Sequence, residues 1–195
     1  FMADKAGYVN YFEVLELEED AKPGEVRKNY KRKMKDLLFE IGGVEITEEK
    51  RARYLLDMAK LNAALCVLRD NDTRDEYWNS RNELMALEDR WAEAVAAKSP
   101  NTEDLRKEYD GKIRDFLAKY VEELMLAAGR DKEAVEASQW DSNHERHASR
   151  ILRHYRHVLY HQILERLPFT EVTPPVVDWP ERTKFVASVL AGEGR

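Results

Sequence analysis

The sequence predicts an all-α protein, and three observations lead to that prediction. Only eight of the 195 residues are glycine and six are proline, so few positions disfavour a helix. Charged residues make up 36% and hydrophobic residues 43% of the chain, a mixture typical of amphipathic helices. Apolar residues recur every three or four positions over long stretches, as they do on one face of a helix. A chain of this length can bury a hydrophobic core without disulfide bonds or structural metals.

Three helices are predicted in the first part of the chain. The first is short, spans Asn10 to Leu17 and has Asn10 as its N-cap. The second follows the turn at 21–24 and ends at Gly42. Its apolar stripe consists of Val26, Tyr30, Met34, Leu37 and Ile41. The third begins at Thr47, and its stripe consists of Tyr54, Met58, Leu61, Leu65 and Leu68. We expect the two stripes to face each other.

The remainder of the chain is predicted to form an antiparallel helical bundle. A fourth helix runs from Thr73 to about Ala97, and a fifth follows the connector at 99–101. Because that connector is short, we expect these two helices to be antiparallel. A further helical region extends from Asp131 to Leu167, with a bend near 140–142. Its inner stripe consists of Ala148, Leu152, Tyr155, Leu159 and Ile163.

The composition changes at Pro168, after which prolines and β-branched residues predict an extended arm. A capping box formed by Asp178 and Glu181 predicts a short final helix. We expect the arm and this helix to pack back across the bundle. The predicted division is therefore a three-helix unit at 1–78, a helical bundle at 79–167, and the arm with its short helix at 168–195.

Three segments of the first unit resemble the J-domain family in their order and spacing. They read Asn-Tyr-Phe-Glu-Val-Leu-Glu-Leu at 10–17, Val-Arg-Lys-Asn-Tyr-Lys-Arg at 26–32, and Leu-Asn-Ala-Ala-Leu-Cys-Val-Leu-Arg-Asp at 61–70. The third is followed by Arg74 and Tyr77, where the family also has an arginine and a tyrosine. J-domains are helical modules that activate Hsp70 chaperones. The resemblance implies a J-domain-like three-helix unit over about residues 10–78.

The chain departs from that family where the family acts on its chaperone. The positions of the His-Pro-Asp tripeptide hold Leu38, Phe39 and Glu40. In the family, a loop with this tripeptide and the basic face of the second helix engage the Hsp70 ATPase domain. The basic face is kept here, as Arg27, Lys28, Lys31, Arg32 and Lys35. The resemblance therefore implies a partner-binding surface made of these eight residues on a degenerate J-domain.

We expect a non-enzymatic adaptor or regulator whose partner is another protein with an acidic surface. A divergent Hsp70 co-chaperone is an alternative, although we do not expect it to activate the ATPase. The net charge of −6 argues against nucleic acid or membrane as the partner. No phosphate-binding glycine loop or catalytic motif occurs, so we expect neither an enzyme nor a cofactor. The only cysteine, Cys66, lies in an apolar pattern typical of a core residue, and we expect a cytoplasmic protein.

Histidines form a second candidate site, because all five lie between His144 and His161. Helical spacing places a set of basic residues opposite the inner stripe of their helix: His147, Arg150, His154, His157 and His161. The face could be a solvated surface, a partner- or phosphate-binding surface, or a metal site built on His154, His157 and His161. Neighbouring arginines and the absence of a nearby carboxylate in the sequence argue against the metal.

Overall fold

In the computed structural model, residues 8–42, 46–168 and 178–191 are described. The helices are α1 (Tyr11–Val14), α2 (Pro23–Ile41), α3 (Glu48–Leu68), α4 (Asn71–Ala96), α5 (Thr102–Leu117), α6 (Leu124–Ala128), α7 (Lys132–Ser138), α8 (Ser142–Arg166) and α9 (Trp179–Leu190). A π-helical segment, Ala118–Glu123, joins α5 to α6 without a break. No β-strand occurs in the described ranges, so the all-α prediction is confirmed.

Side-chain caps begin several helices where the sequence predicts them. The Thr47 hydroxyl accepts a hydrogen bond from the Lys50 amide at 3.3 Å, and Asn10 caps α1 in the same way. The fourth helix begins two residues earlier than its predicted start at Thr73. The reason is that the Asp70 carboxylate accepts from the amides of Asp72 and Thr73, at 3.1 Å each. The acidic segment at 70–72 is therefore the start of α4.

Helix α3 occupies the centre of the molecule. Between 61 and 68 every residue except Cys66 is buried, because α3 packs against helices on several sides: α1, α2, α4, α6, α7 and α8. A helix that is buried on most of its circumference needs small or apolar residues all round rather than one stripe. Ala63 and Ala64 supply that second face.

The predicted packing of α2 against α3 is confirmed, and the two helices are antiparallel. The Tyr30 hydroxyl near the middle of α2 donates to the Asn62 side chain at 2.8 Å. Ile41, at the end of α2, lines one pocket with Tyr54, near the start of α3. The apolar side chains of α2 that face this pair are buried: Val26, Tyr30, Met34 and Leu37.

Aromatic side chains connect the N-terminal helices to the bundle. The Tyr77 ring lies 5.1 Å from the rings of Tyr11 and Tyr120, measured between centroids. The Trp91 and Tyr109 rings, late in α4 and early in α5, are 5.4 Å apart, and the Tyr77 and Phe116 rings, early in α4 and late in α5, are 6.2 Å apart. The two helices are therefore antiparallel, as predicted. The predicted boundary between 78 and 79 falls inside α4, and buried residues from both sides of it belong to one core cluster.

The last helices differ from the prediction in two ways. The bend expected near 140–142 is a full break between α7 and α8, with Gln139 in the left-handed region at φ 56°. The short final helix exists, and Asp178 caps it through the Glu181 amide at 3.0 Å. However, α9 has no buried residue among those described, so the expectation that it packs back across the bundle is wrong. The predicted arm at 169–177 lies outside the described residues.

Candidate functional site

The first candidate site is built on α2, whose ends are set by local sequence. Pro23 occupies the first turn, where its missing amide donor is not needed. The Lys22 amide donates to the Glu25 carboxylate at 2.8 Å, which closes a capping interaction. The helix continues to Ile41 and ends at Gly42. Its buried stripe fixes the rotation of α2, and therefore fixes which side chains face solvent.

The solvent-facing side of α2 carries a line of four exposed residues that we call the outer stripe: Lys28, Lys31, Lys35 and Phe39. Their spacing of three, four and four residues places them on one face of the helix. None of the three lysines has an ion-pair partner among the described residues. The Phe39 side chain is 87% exposed and lies at the end of the line. A positive strip with an apolar terminus is therefore available for contact.

Two predicted members of the basic face have partners within the fold. Arg27 Nε donates to Glu133 Oε1 at 3.0 Å, and Glu133 also contacts Arg69 at 3.4 Å. Arg69 in turn pairs with Asp131 through both of its terminal nitrogens, at 2.9 and 2.6 Å. These contacts connect α2, α3 and α7. Arg27 therefore belongs to an ion-pair network that supports the fold.

Arg32 is the other paired residue of this face. Its Nη2 atom lies 2.7 Å from the Glu16 carboxylate, which Lys33 also contacts at 2.7 Å. These two cations lower the pKa of Glu16, Lys33 making the larger contribution. Glu16 and Arg32 are more than half exposed and Lys33 is partly exposed, so these pairs contribute little to stability. Their effect on the surface is to neutralise part of the predicted basic face beside the outer stripe.

Leu38, Phe39 and Glu40 lie in the last turns of α2, as the predicted end of this helix at Gly42 requires, whereas the J-domain resemblance implied a loop at these positions. The helix continues through these residues because none of them is a proline or glycine that would end it. Leu38 is half-buried against the core, and Phe39 and Glu40 face solvent. The segment that holds these three residues is thus helical, with one large apolar side chain exposed.

The histidine face of the second candidate site is divided between two places. His144 accepts a hydrogen bond from the Asp141 amide at 3.0 Å and so helps to cap α8. His147 lies near Ile41 and Tyr54, away from the other three. Only His154, His157 and His161 come together, in a groove between α5 and α8. Within the described residues, no group of three histidine, cysteine or acidic side chains is arranged to hold a metal.

Sequence reasoning missed a buried ionic group in the bundle. The Glu88 side chain is only 6% exposed and accepts hydrogen bonds from the hydroxyls of Tyr8 and Tyr109. Arg166 Nη2, near the end of α8, lies 3.4 Å from the same carboxylate. Burial raises the pKa of Tyr8 and of Tyr109, so both hydroxyls stay protonated and can donate. No local pattern reveals this cluster, because its members come from four separate segments.

Comparisons with known proteins leave the chain without an assigned relative. No protein-family model, curated protein or solved structure matches it.

Among the helices described here, none combines the length and apolarity that crossing a lipid bilayer requires. Burial raises the pKa of the Cys66 thiol to about 11, so this side chain is protonated near neutral pH.

Proposed function

We propose that this chain is a non-enzymatic protein-binding module, an adaptor or regulator, that docks an acidic protein surface on the outer stripe of α2. The observation that supports this proposal is the exposed line of Lys28, Lys31 and Lys35, which ends at Phe39. The proposal keeps the expectation of a cytoplasmic protein related in shape to J-domains.

The charges of the stripe favour a partner of opposite sign. The lysines of the outer stripe have no ion-pair partner among the residues that the structure describes, so they can contact external carboxylates. Such rim charges mainly accelerate association and select the partner, and each exposed pair contributes about 0.2–1 kcal/mol. Three of them fix a direction along the helix, so the complementary surface should carry acidic residues in a row at similar spacing.

Phe39 adds the apolar part of the recognition. Covering a phenylalanine ring that is 87% exposed removes apolar area from water. Complete burial of such a side chain stabilises a complex by about 1.5–3 kcal/mol. Aromatic side chains are also frequent among the few residues that dominate binding energy. The partner surface should therefore present an apolar depression beyond the end of its acidic row.

Hsp70 binding is an alternative that the J-domain resemblance supplies. The basic face of the second helix is present here, but the positions of His-Pro-Asp hold Leu38, Phe39 and Glu40. We therefore expect any Hsp70 complex to form without activation of the ATPase. Purified protein added to the cognate Hsp70 should leave its rate of ATP hydrolysis unchanged. A severalfold stimulation would assign the chain to the divergent co-chaperones.

The proposal is tested by affinity purification with two charge-reversed variants. The stripe variant carries Lys28→Glu, Lys31→Glu and Lys35→Glu. The control carries Lys50→Glu, Lys107→Glu and Lys184→Glu, which change the net charge equally at exposed lysines outside α2. We expect wild type and control to retain the same partner, and the stripe variant to bind that partner about 100-fold more weakly.

Circular dichroism and thermal melting establish that both variants fold before they are compared. Because the substituted side chains are exposed, we expect each midpoint to stay close to that of wild type. If the folded stripe variant retains every protein that wild type retains, the outer stripe is not the binding surface. The same conclusion follows if the control variant loses the partner equally.

A further inference from the structure

The groove between α5 and α8 concentrates positive side chains from two helices. It has a volume of about 810 Å³, within the range of small-molecule sites. Arg114 comes from α5, and the other basic residues come from α8: Arg150, Arg153, His154, Arg156, His157 and His161. Leu117, Ala118 and Tyr160 form the less polar part of the wall. The sequence analysis placed only the α8 residues together, because Arg114 reaches the site through tertiary packing.

Carboxylates balance most, but not all, of this charge. Asp115 lines the groove, and Asp110 lies behind it, 3.1 Å from Arg114 Nε. The third is Glu122, whose side chain is 15% exposed and contacts both Arg153, at 3.6 Å, and Arg156. Four guanidinium groups therefore face three carboxylates. One positive charge is uncompensated when the imidazoles are neutral, and protonated imidazoles add to it.

The same pairs hold several of the cations in fixed positions. Arg114 Nη2 donates to the Tyr160 hydroxyl at 3.0 Å, and that hydroxyl donates to Asp110. Glu122 contacts Arg153 and Arg156 from the π-helical segment. Arg150, in contrast, has no ion-pair partner among the described residues and is exposed at the groove. A ligand anion can therefore pair with Arg150 without breaking a contact of the fold.

The imidazoles provide donors that depend on pH. The ring centroids of His157 and His161 are 4.3 Å apart, with the planes close to perpendicular at 80°. Two protonated imidazoles at that separation repel each other unless an anion lies between or beside them. Histidine is the side chain that changes charge between about pH 5 and 8. An anion in the groove would thus bind more tightly, and favour protonation, as the pH falls.

We propose that the α5–α8 groove is a binding site for a small phosphate-bearing anion, with Arg150 and the three histidines as its principal ligands. The guanidinium fork of Arg150 matches two phosphate oxygens, and imidazolium N–H groups donate to the others. This site is independent of the outer stripe on α2. Of the alternatives for the histidine face of α8, it favours an anion-binding surface over a solvated one, because α5 supplies a second wall and makes the site concave.

Isothermal titration with inorganic pyrophosphate at about pH 6 tests the site, using one variant and its matched control. Arg150→Glu reverses the free cation in the groove. Arg146→Glu makes the same change one turn earlier on α8, at an exposed residue outside the groove. We expect Arg150→Glu to weaken binding at least about tenfold, and Arg146→Glu to change it less than about threefold. Equal effects of the two variants, or no binding to wild type, would overturn the proposal.

Two further arms identify the chemistry of the ligand. Pyrophosphate gains negative charge between pH 6 and pH 8, so tighter binding at the lower pH would have to come from the protein. Wild type should bind pyrophosphate more tightly at pH 6 than at pH 8, and a variant with His154→Gln, His157→Gln and His161→Gln should lose that preference. Persistence of tighter binding at pH 6 in the triple variant would rule out the imidazoles as ligands. Titration with inorganic phosphate and with ATP then compares the sources of the phosphate group. Failure of pyrophosphate binding leaves the α2 proposal intact, since that proposal concerns another face.

Discussion

The two basic helices of this protein, α2 and α8, carry similar sequence patterns but use their charges differently. On α2, three lysines of the outer stripe face solvent without partners in the described structure, and an exposed phenylalanine follows them. On α8, arginines line a groove, and the single carboxylate of Glu122, in the π-helical segment, contacts two of them. A lysine line on an open surface suits an extended protein surface, whereas an arginine and histidine groove suits a compact anion. The pattern gives the sign of the charge, and the tertiary neighbours decide its use.

The largest expected effect is a difference in stability between a substitution on the buried side of α2 and one on its exposed side. Leu37 is buried, so Leu37→Ala should lower the free energy of unfolding by about 3 kcal/mol through lost burial and a cavity. Phe39 is two residues away but 87% exposed, so Phe39→Ala should change that free energy by less than about 0.5 kcal/mol. Urea denaturation of both variants measures the contrast. Comparable destabilisation by the two substitutions would place Phe39 in the core and remove it from the outer stripe.

A smaller loss of stability is expected when the ion-pair network that holds Arg27 is weakened, whereas the lysines of the outer stripe have no such network to lose. Asp131 pairs with Arg69, which also contacts the Glu133 partner of Arg27. Asp131→Asn keeps an oxygen that can accept from the Ala134 amide but removes the charge. We expect the variant to lose about 1–2 kcal/mol of stability at neutral pH, measured by urea denaturation.

The pH dependence of that variant has a definite sign. The Arg69 hydrogen bond is the main cause that lowers the pKa of Asp131 in the folded protein. A lowered pKa contributes stability above the unfolded value near 3.9, and this contribution is lost as the pH falls through the folded value. The difference between wild type and variant should therefore shrink below about pH 4. A constant difference from pH 7 to pH 3 would show that the charge of Asp131 does not matter.

The helices could be predicted from the sequence because their signals are local. The caps Asn10 and Thr47 predicted the starts of α1 and α3, and the turn at 21–24 and Gly42 predicted the two ends of α2, nearly to the residue. The start of α4 was misplaced because Asp70 can be interpreted either as a break or as a cap. The exposure of α9 could not be predicted, because an amphipathic sequence predicts an apolar face but does not identify which element, if any, packs against it.

The candidate sites were predicted only in part, for a related reason. The outer stripe follows from helical spacing, and all its members appear among the predicted residues. Arg27 was assigned to the free surface because its partner, Glu133, lies 106 residues further along the chain. The groove required α5 to pack against α8, as the contact between Arg114 and Tyr160 shows. Ion pairs between distant segments have no signature in a single sequence.

The most direct measurement of the central claim is site-specific photocrosslinking at position 39. A photoreactive benzoylphenylalanine replaces Phe39 in one protein and Lys107, on α5, in a control protein. We predict one discrete protein adduct at position 39 that disappears when Lys28, Lys31 and Lys35 are changed to glutamate, and no such adduct at position 107. An adduct at position 39 that survives the lysine changes, or the absence of any adduct there, would contradict the assignment of α2 as the docking surface.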